Sequence, residues 1–175
     1  GISIFEEKQD LLPFEEAKLC SVNATHAMLG YLAHDRGLNT MAEIARHPDL
    51  LAAGREAFVN ECGAGIAHKH GATDPFFAKA SFDARADDLL ARMTNPFLSD
   101  AVARVIRDPK RKLAWEDRLV GAMRLALAAG VKPVRLAQGA RLAARFGGIT
   151  DPRVLWPQES ARRGEVTAIA ALFEE

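Results

Sequence analysis

No stretch of this chain alternates apolar and polar residues as a half-buried strand must, and that most constrains its fold. Alanine and leucine recur throughout, and the β-branched residues that favour strands are sparse. The sequence therefore predicts an all-α fold. With 175 residues it can bury one substantial core. No repeat, low-complexity tract or composition break divides it, so residues 1–175 read as a single helical domain.

Helix start and stop signals place the elements. Residues 1–9 read as a lead-in, with Gly1–Phe5 as a short extended piece. A first helix opens around Asp10–Pro13, with Asp10 as cap, and runs to about His34 before Gly37 stops it. Thr40 and Glu43 form a capping box for a short helix. Pro48 opens the next, which ends by Gly71, and Asp74-Pro75 begins a segment to Met93 with a break near Ser81. Asn95–Asp100 is a turn into a short helix, Ala101–Arg107, ended by Asp108-Pro109. Trp115–Arg118 opens a helix closing at Gly130, Pro133 opens one closing at Gly147-Gly148, and Pro157 leads the last.

The totals exclude several functions. Formal net charge is zero, so no global basic field recruits nucleic acid or an anionic membrane, and any anion site must be local. No apolar run approaches the ~20 residues of a membrane span. The two cysteines, Cys20 and Cys62, stand in no C-x-x-C spacing, which suits neither a disulfide framework nor a zinc knuckle and fits a cytoplasmic setting. His47, His68, His70 and Cys62 make a poor metal set, because His68 and His70 are two apart and no carboxylate completes them. Gly63-Ala64-Gly65 begins like a dinucleotide fingerprint but lacks the third glycine and sits in a helical stretch. A chain beginning at Gly1 rather than Met is expected to be a piece of something longer.

Two clusters could carry chemistry. Lys18, Asn23 and His26 share one broad face of an ideal helix, about 140° and 80° from Lys18 at 100° per residue. They are either satisfied core residues or a site. As a site, a lysine neutralised by burial or a nearby cation would take a proton, while asparagine and histidine bind an alkoxide or carbonyl oxygen. Arg104, Arg107, Lys110, Arg111 and Lys112 are the densest basic cluster, either a solvated surface or a receptor for phosphate or carboxylate.

The spacing Lys18-x-x-x-x-Asn23-x-x-His26 resembles the signature of the polyol-specific long-chain dehydrogenases, the mannitol dehydrogenase family. Phe14–Leu19 before it and Gly30-Tyr31-Leu32 after it are similar to that family's stretch. So is the block Asn95–Asp100, Arg104–Leu113 and Asp117–Gly121, which most resembles the branch acting on mannitol 1-phosphate. The resemblance covers about residues 10–150. It implies a multi-helical C-terminal substrate domain of the 6-phosphogluconate-dehydrogenase C-terminal-like type. An N-terminal Rossmann domain, absent from this chain, would bind NAD as cofactor, and no metal is used. Lys18 would be the general base, Asn23 an oxyanion donor and His26 the residue orienting substrate, while Arg104 and Lys112 contact its far end. A phosphate there would suit Arg107, Lys110 and Arg111. Cys20-Ser21 and Ala24-Thr25 differ from what relatives often carry, which leaves the pocket floor open. The family also draws an oxyanion-hole asparagine from the nucleotide domain, so this chain alone is expected to be inactive, with apolar surface exposed where that domain docks. Two alternatives stand beside a mannitol 1-phosphate enzyme. One is a mannitol 2-dehydrogenase or hexuronate (fructuronate or tagaturonate) reductase domain, and the other is a catalytically silent helical interaction module.

Overall fold

The computed structural model describes residues 7–157 and 160–174, so the predicted extended piece at Gly1–Phe5 lies outside the described residues. Eight helices carry the fold, joined by short 3₁₀ turns, and no strand occurs among the described residues. The all-α expectation holds.

Helix α1 is continuous but not uniform. Leu12–Ala17 is α-helical, Lys18–Asn23 forms a π-helical turn, and Ala24–Asp35 is α-helical again. Helix α2 repeats the pattern, with α segments Pro48–Glu56 and Gly63–His70 flanking a π turn at Ala57–Cys62. Then come α3 (Lys79–Met93), α4 (Val102–Ile106), α5 (Pro109–Lys112), α6 (Arg118–Ala128), α7 (Val134–Phe146) and α8 (Arg163–Glu174). Several boundaries move from the sequence-based expectation. The break before α3 falls at Ala78, whose extended backbone separates Pro75–Phe77 from Lys79, rather than near Ser81. Pro109, read as part of the stop after Arg107, also opens a single helical turn, Pro109–Lys112. Thr40 and Glu43 do form a capping box, but on a 3₁₀ stretch, Met41–Arg46.

Small residues set the helix spacing. A Cβ on Gly139 of α7 would lie 2.6 Å from Met28 Cγ of α1, and one on Gly65 of α2 would lie 2.7 Å from the Leu125 carbonyl carbon of α6. These contacts bring backbones together, so α1, α2, α6 and α7 pack as one closely spaced group. Met28, Leu29, Tyr31, Ile66, Met123 and Leu136 are fully buried within it. The two π turns touch at its centre.

A buried acid anchors α7. Glu61, in the π turn of α2, accepts hydrogen bonds from the Arg135 and Leu136 amides at 2.7 and 2.9 Å. These amides belong to the first turn of α7, where no intrahelical acceptor exists. The carboxylate therefore caps a helix far from it in sequence, and burial pushes its pKa up despite the two bonds.

Candidate active site

Three elements converge on His26. It lies on α1 just beyond the π turn, with its ring partly buried. Its Nε2 sits 3.1 Å from the Asp100 carboxylate, which is 11 % exposed. Asp100 also accepts from Arg104 Nε at 2.9 Å and Nη2 at 2.6 Å, one helical turn on. A carboxylate thus joins the histidine of one predicted motif to the arginine of the other.

Asp100 is held from both sides. The isolated bridge Thr40–Ala101 ties its strand-like segment to the end of the loop after α1. Met41 donates to the Asp100 carbonyl and Val102 to the Asn39 carbonyl, both at 2.9 Å. Ser99 just before it takes a left-handed conformation, φ 47°, and the Asn95 side chain accepts from the Phe97 amide at 3.0 Å. This explains the Asn-Pro turn in the sequence: it delivers Asp100 to His26.

The electrostatics fix the imidazole's state. Burial lowers the His26 pKa most, and Arg104 and Arg118 push it the same way, against the opposing pull of Asp100. The ring is therefore neutral at neutral pH. A carboxylate only accepts, so Asp100 favours the tautomer with the proton on Nε2, 3.1 Å away, which leaves Nδ1 as an acceptor.

Lys112, the predicted contact with the far end of a substrate, is 3 % exposed, extreme for a lysine. Its ammonium donates to the Arg107 carbonyl just beyond the C-terminal end of α4. Burial pushes its pKa down to about 8, and Arg118 and Arg111 add to that push. Tyr31, two turns on from the π segment, donates to the Ile106 carbonyl at 2.9 Å and is raised by burial, with Asp108 also raising it. Tyr31 and Lys112 therefore both donate to carbonyls at the α4–α5 junction, and His26, Tyr31 and Lys112 all feel Arg118.

The other predicted residues are placed differently. Lys18 is exposed at the start of the π turn, and its ammonium has no hydrogen-bond partner among the described residues. Asn23, at the end of the same turn, is half-buried. A π turn advances less than 100° per residue, so the angles from an ideal α-helix do not hold between Lys18 and His26. Arg107, Lys110 and Arg111 are exposed, and Arg111 pairs with Asp108 at 3.2 Å.

A groove of about 680 Å³ runs along α1, α2 and α6 and includes none of the five predicted residues. Most of its charged groups satisfy one another. Glu16 binds Lys69 at 2.7 Å and His70 at 2.6 Å, and Arg124 binds Glu116 and Glu165. Few polar atoms are left there for a ligand, so the chemistry favours the His26 cluster. Among the described residues no group of three His, Cys, Asp or Glu side chains could hold a metal ion. Gly63 and Gly65 lie within α2 against Phe82 and Leu125, so they serve packing and do not cradle a pyrophosphate.

The all-helical fold and the two motifs it brings together are those of a dehydrogenase C-terminal domain. Residues 10–154 match the mannitol dehydrogenase C-terminal domain, and the chain belongs to that family. Among the relatives, mannitol-1-phosphate 5-dehydrogenase of Bacillus licheniformis is 37% identical over 95% of this chain and 43% of its own length. The enzyme of that name from Bacillus subtilis is 35% identical over 83% of the chain and 36% of its own. That from Brevibacillus brevis is 41% identical over 65% of the chain and 28% of its own. The chain thus spans well under half the length of the relatives it matches.

Proposed function

We propose that this chain is the substrate-binding and catalytic domain of a NAD-dependent polyol dehydrogenase interconverting mannitol 1-phosphate and fructose 6-phosphate. Family membership and the names of the relatives support the reaction class. The observation that carries it is the His26–Asp100–Arg104 chain, which joins both family motifs at one place.

Each side chain has a role that its chemistry allows. Lys18 Nζ, neutral, takes the proton of the hydroxyl whose carbon is oxidised. Asn23 donates its carboxamide N–H to the alkoxide as charge develops. His26 Nδ1 accepts from a neighbouring hydroxyl and orients the polyol. Arg104 and Lys112 bind its far end. The chemistry NAD would supply when bound is that of the hydride acceptor for the same carbon. We assign the nucleotide site to an N-terminal Rossmann domain of the same protein, a reading supported by the 43% of a relative's length that the chain spans. Covering by that domain would also desolvate Lys18. Phe97, 93 % exposed, and Leu98, 62 %, offer apolar surface beside Asp100 for such a partner. A cytoplasmic location suits a sugar-phosphate substrate.

The test is turnover by the full-length protein. Mannitol 1-phosphate should reduce NAD, with kcat falling at least a thousandfold in Lys18→Ala. Reduction with mannitol or a hexuronate substrate alone would replace this assignment with an unphosphorylated one. No turnover with any hexitol, hexitol phosphate or hexuronate would leave a helical interaction module.

A further inference from the structure

We propose that Tyr31 is a positioning residue whose hydroxyl clamps the short helix α4 onto α1 and so fixes where Arg104 stands relative to His26. The use made of Arg104 in binding substrate rests on the function proposed above, whereas the clamp itself does not.

Helix α4, Val102–Ile106, is five residues long and its cap residue, Ala101, makes no side-chain bond to it. A helix this short is not stable by itself in water, and its last carbonyls have no intrahelical partner. Helix α1 supplies what is missing. Just ahead of α4, Asp100 lies 3.1 Å from His26 Nε2. At the other end, Tyr31 donates to the Ile106 carbonyl at 2.9 Å. Between them Gly30 lets the helices touch, since a Cβ there would lie 2.5 Å from Val105 Cγ1 and 3.4 Å from Ile106 Cγ2. The contacts follow the same order along both helices, so α4 lies alongside α1, tied at both ends and seated on a glycine.

The two ends are not held equally. The first is fixed again by the Thr40–Ala101 bridge and by the Val102 amide on the Asn39 carbonyl. Lys112 binds the Arg107 carbonyl at the second end, but it belongs to the same local segment and ties it to nothing outside. Among the described residues, the Tyr31 hydroxyl is the hydrogen bond that joins this end to α1. Tyr31 is 1 % exposed and Ile106 2 %, so removing the hydroxyl leaves a carbonyl that water does not readily reach.

Arg104 stands between the two ties. With the second released, α4 can tilt about Asp100, carrying Arg104 and the Arg107–Lys112 turn with it. Lys18, Asn23 and His26 belong to α1 and stay in place. The loss should therefore weaken the grip on the far end of the substrate and leave the groups at the reacting carbon unchanged.

The experiment uses the full-length protein with Tyr31→Phe, which keeps the ring and removes the bond. Ile169→Val, fully buried on α8 against α6 and α7, controls for a general loss of stability. Hydrogen exchange read by mass spectrometry should speed up about tenfold in residues 102–107 of Tyr31→Phe, with α1 within about twofold. KM for mannitol 1-phosphate should rise about fivefold with kcat within about threefold, while Ile169→Val lowers Tm and moves neither. Gly30→Ala forces α4 off α1 with the hydroxyl still present, so it should raise KM as well. Adding Val105→Ala should restore part of the loss. Unchanged exchange at residues 102–107 in Tyr31→Phe overturns the clamp. Faster exchange there with KM unchanged, or a KM shift matched by Ile169→Val, overturns the positioning role. Faster exchange in a protein that turns over no hexitol phosphate upholds the clamp while the proposed reaction fails.

Discussion

His26 Nε2 lies 3.1 Å from Asp100 Oδ2, and that one contact determines which nitrogen of the imidazole is free to meet a substrate. Asp100 raises the His26 pKa while burial and the nearby arginines lower it. Replacing the carboxylate with an amide removes the raising influence. In Asp100→Asn the His26 pKa should fall further, and the Nε2-H tautomer should lose its preference, because an amide can also donate. Both are read from the imidazole ¹⁵N shifts across pH. Hydrogen bonds to charged groups contribute about 1.5–3 kcal/mol, so kcat/KM of the full-length enzyme should fall about tenfold to a hundredfold. Unchanged ¹⁵N shifts would remove Asp100 from the orienting role.

Lys112 trades stability for function. Its pKa of about 8 lies below the ordinary 10.5, so the folded state penalises the charged amine. Between pH 8 and 10.5 the unfolded chain holds more protons, and stability therefore rises with pH across that window. At neutral pH the penalty is fully present, at most about 3 kcal/mol. Lys112→Met removes it and leaves the Arg107 carbonyl without its donor, costing about 1 kcal/mol. The variant should be more stable by about 1–2 kcal/mol in urea unfolding at pH 7, lose the rise above pH 8, and bind phosphate poorly. A destabilised Lys112→Met would mean that the ammonium is a structural strut.

Glu61 has the opposite pH signature. Its pKa is raised by burial, so the folded state holds the proton more tightly than the unfolded chain. Its contribution to stability falls as pH rises through the window just above the ordinary carboxylate range. Even so, the two amides it caps, one buried and one partly buried, have no other acceptor. Glu61→Ala should cost about 2–4 kcal/mol, since both donors are orphaned. Glu61→Gln should cost less, because its amide oxygen can still serve one of them. Equal losses in the two variants would argue that cavity formation, not capping, dominates.

Local chemistry made most of the fold legible. Gly37, Gly130 and Gly148 end helices at φ 74°, 74° and 61°, where a side chain would strain, so the stops could be read directly. Asp117 caps α6 and Glu43 reaches back to the Thr40 amide at 3.0 Å, both in capping positions visible in the sequence. What could not be read depends on burial. Residues 104–112 drew notice as the densest run of positive charge, yet the structure buries Lys112 and leaves Arg107, Lys110 and Arg111 in solvent. Asp100 stood inside a motif without a role, because its importance arises from His26 on another helix. The π turns left no residue signature. Ser21 donates to the Ala17 carbonyl four residues back, a helix-loosening bond, but serines in ordinary helices do the same.

The π turn at Lys18–Asn23 should set the position of Lys18 relative to His26. A π turn carries one residue more than the α turn it replaces. Deleting the half-buried Val22 should restore an α-helix through this stretch. The segment after it is pinned by His26–Asp100 and by Tyr31 on the Ile106 carbonyl. The segment before it is held less firmly, by the partly exposed Glu16–His70 pair and the Phe14 ring against Phe77. Lys18 should therefore turn by about 100° while His26 stays in place. The expected result is unchanged helical circular dichroism and a modest fall in Tm. Turnover in the full-length protein should be lost. Turnover within threefold of the parent would show that the angle between Lys18 and His26 is not what the π turn maintains.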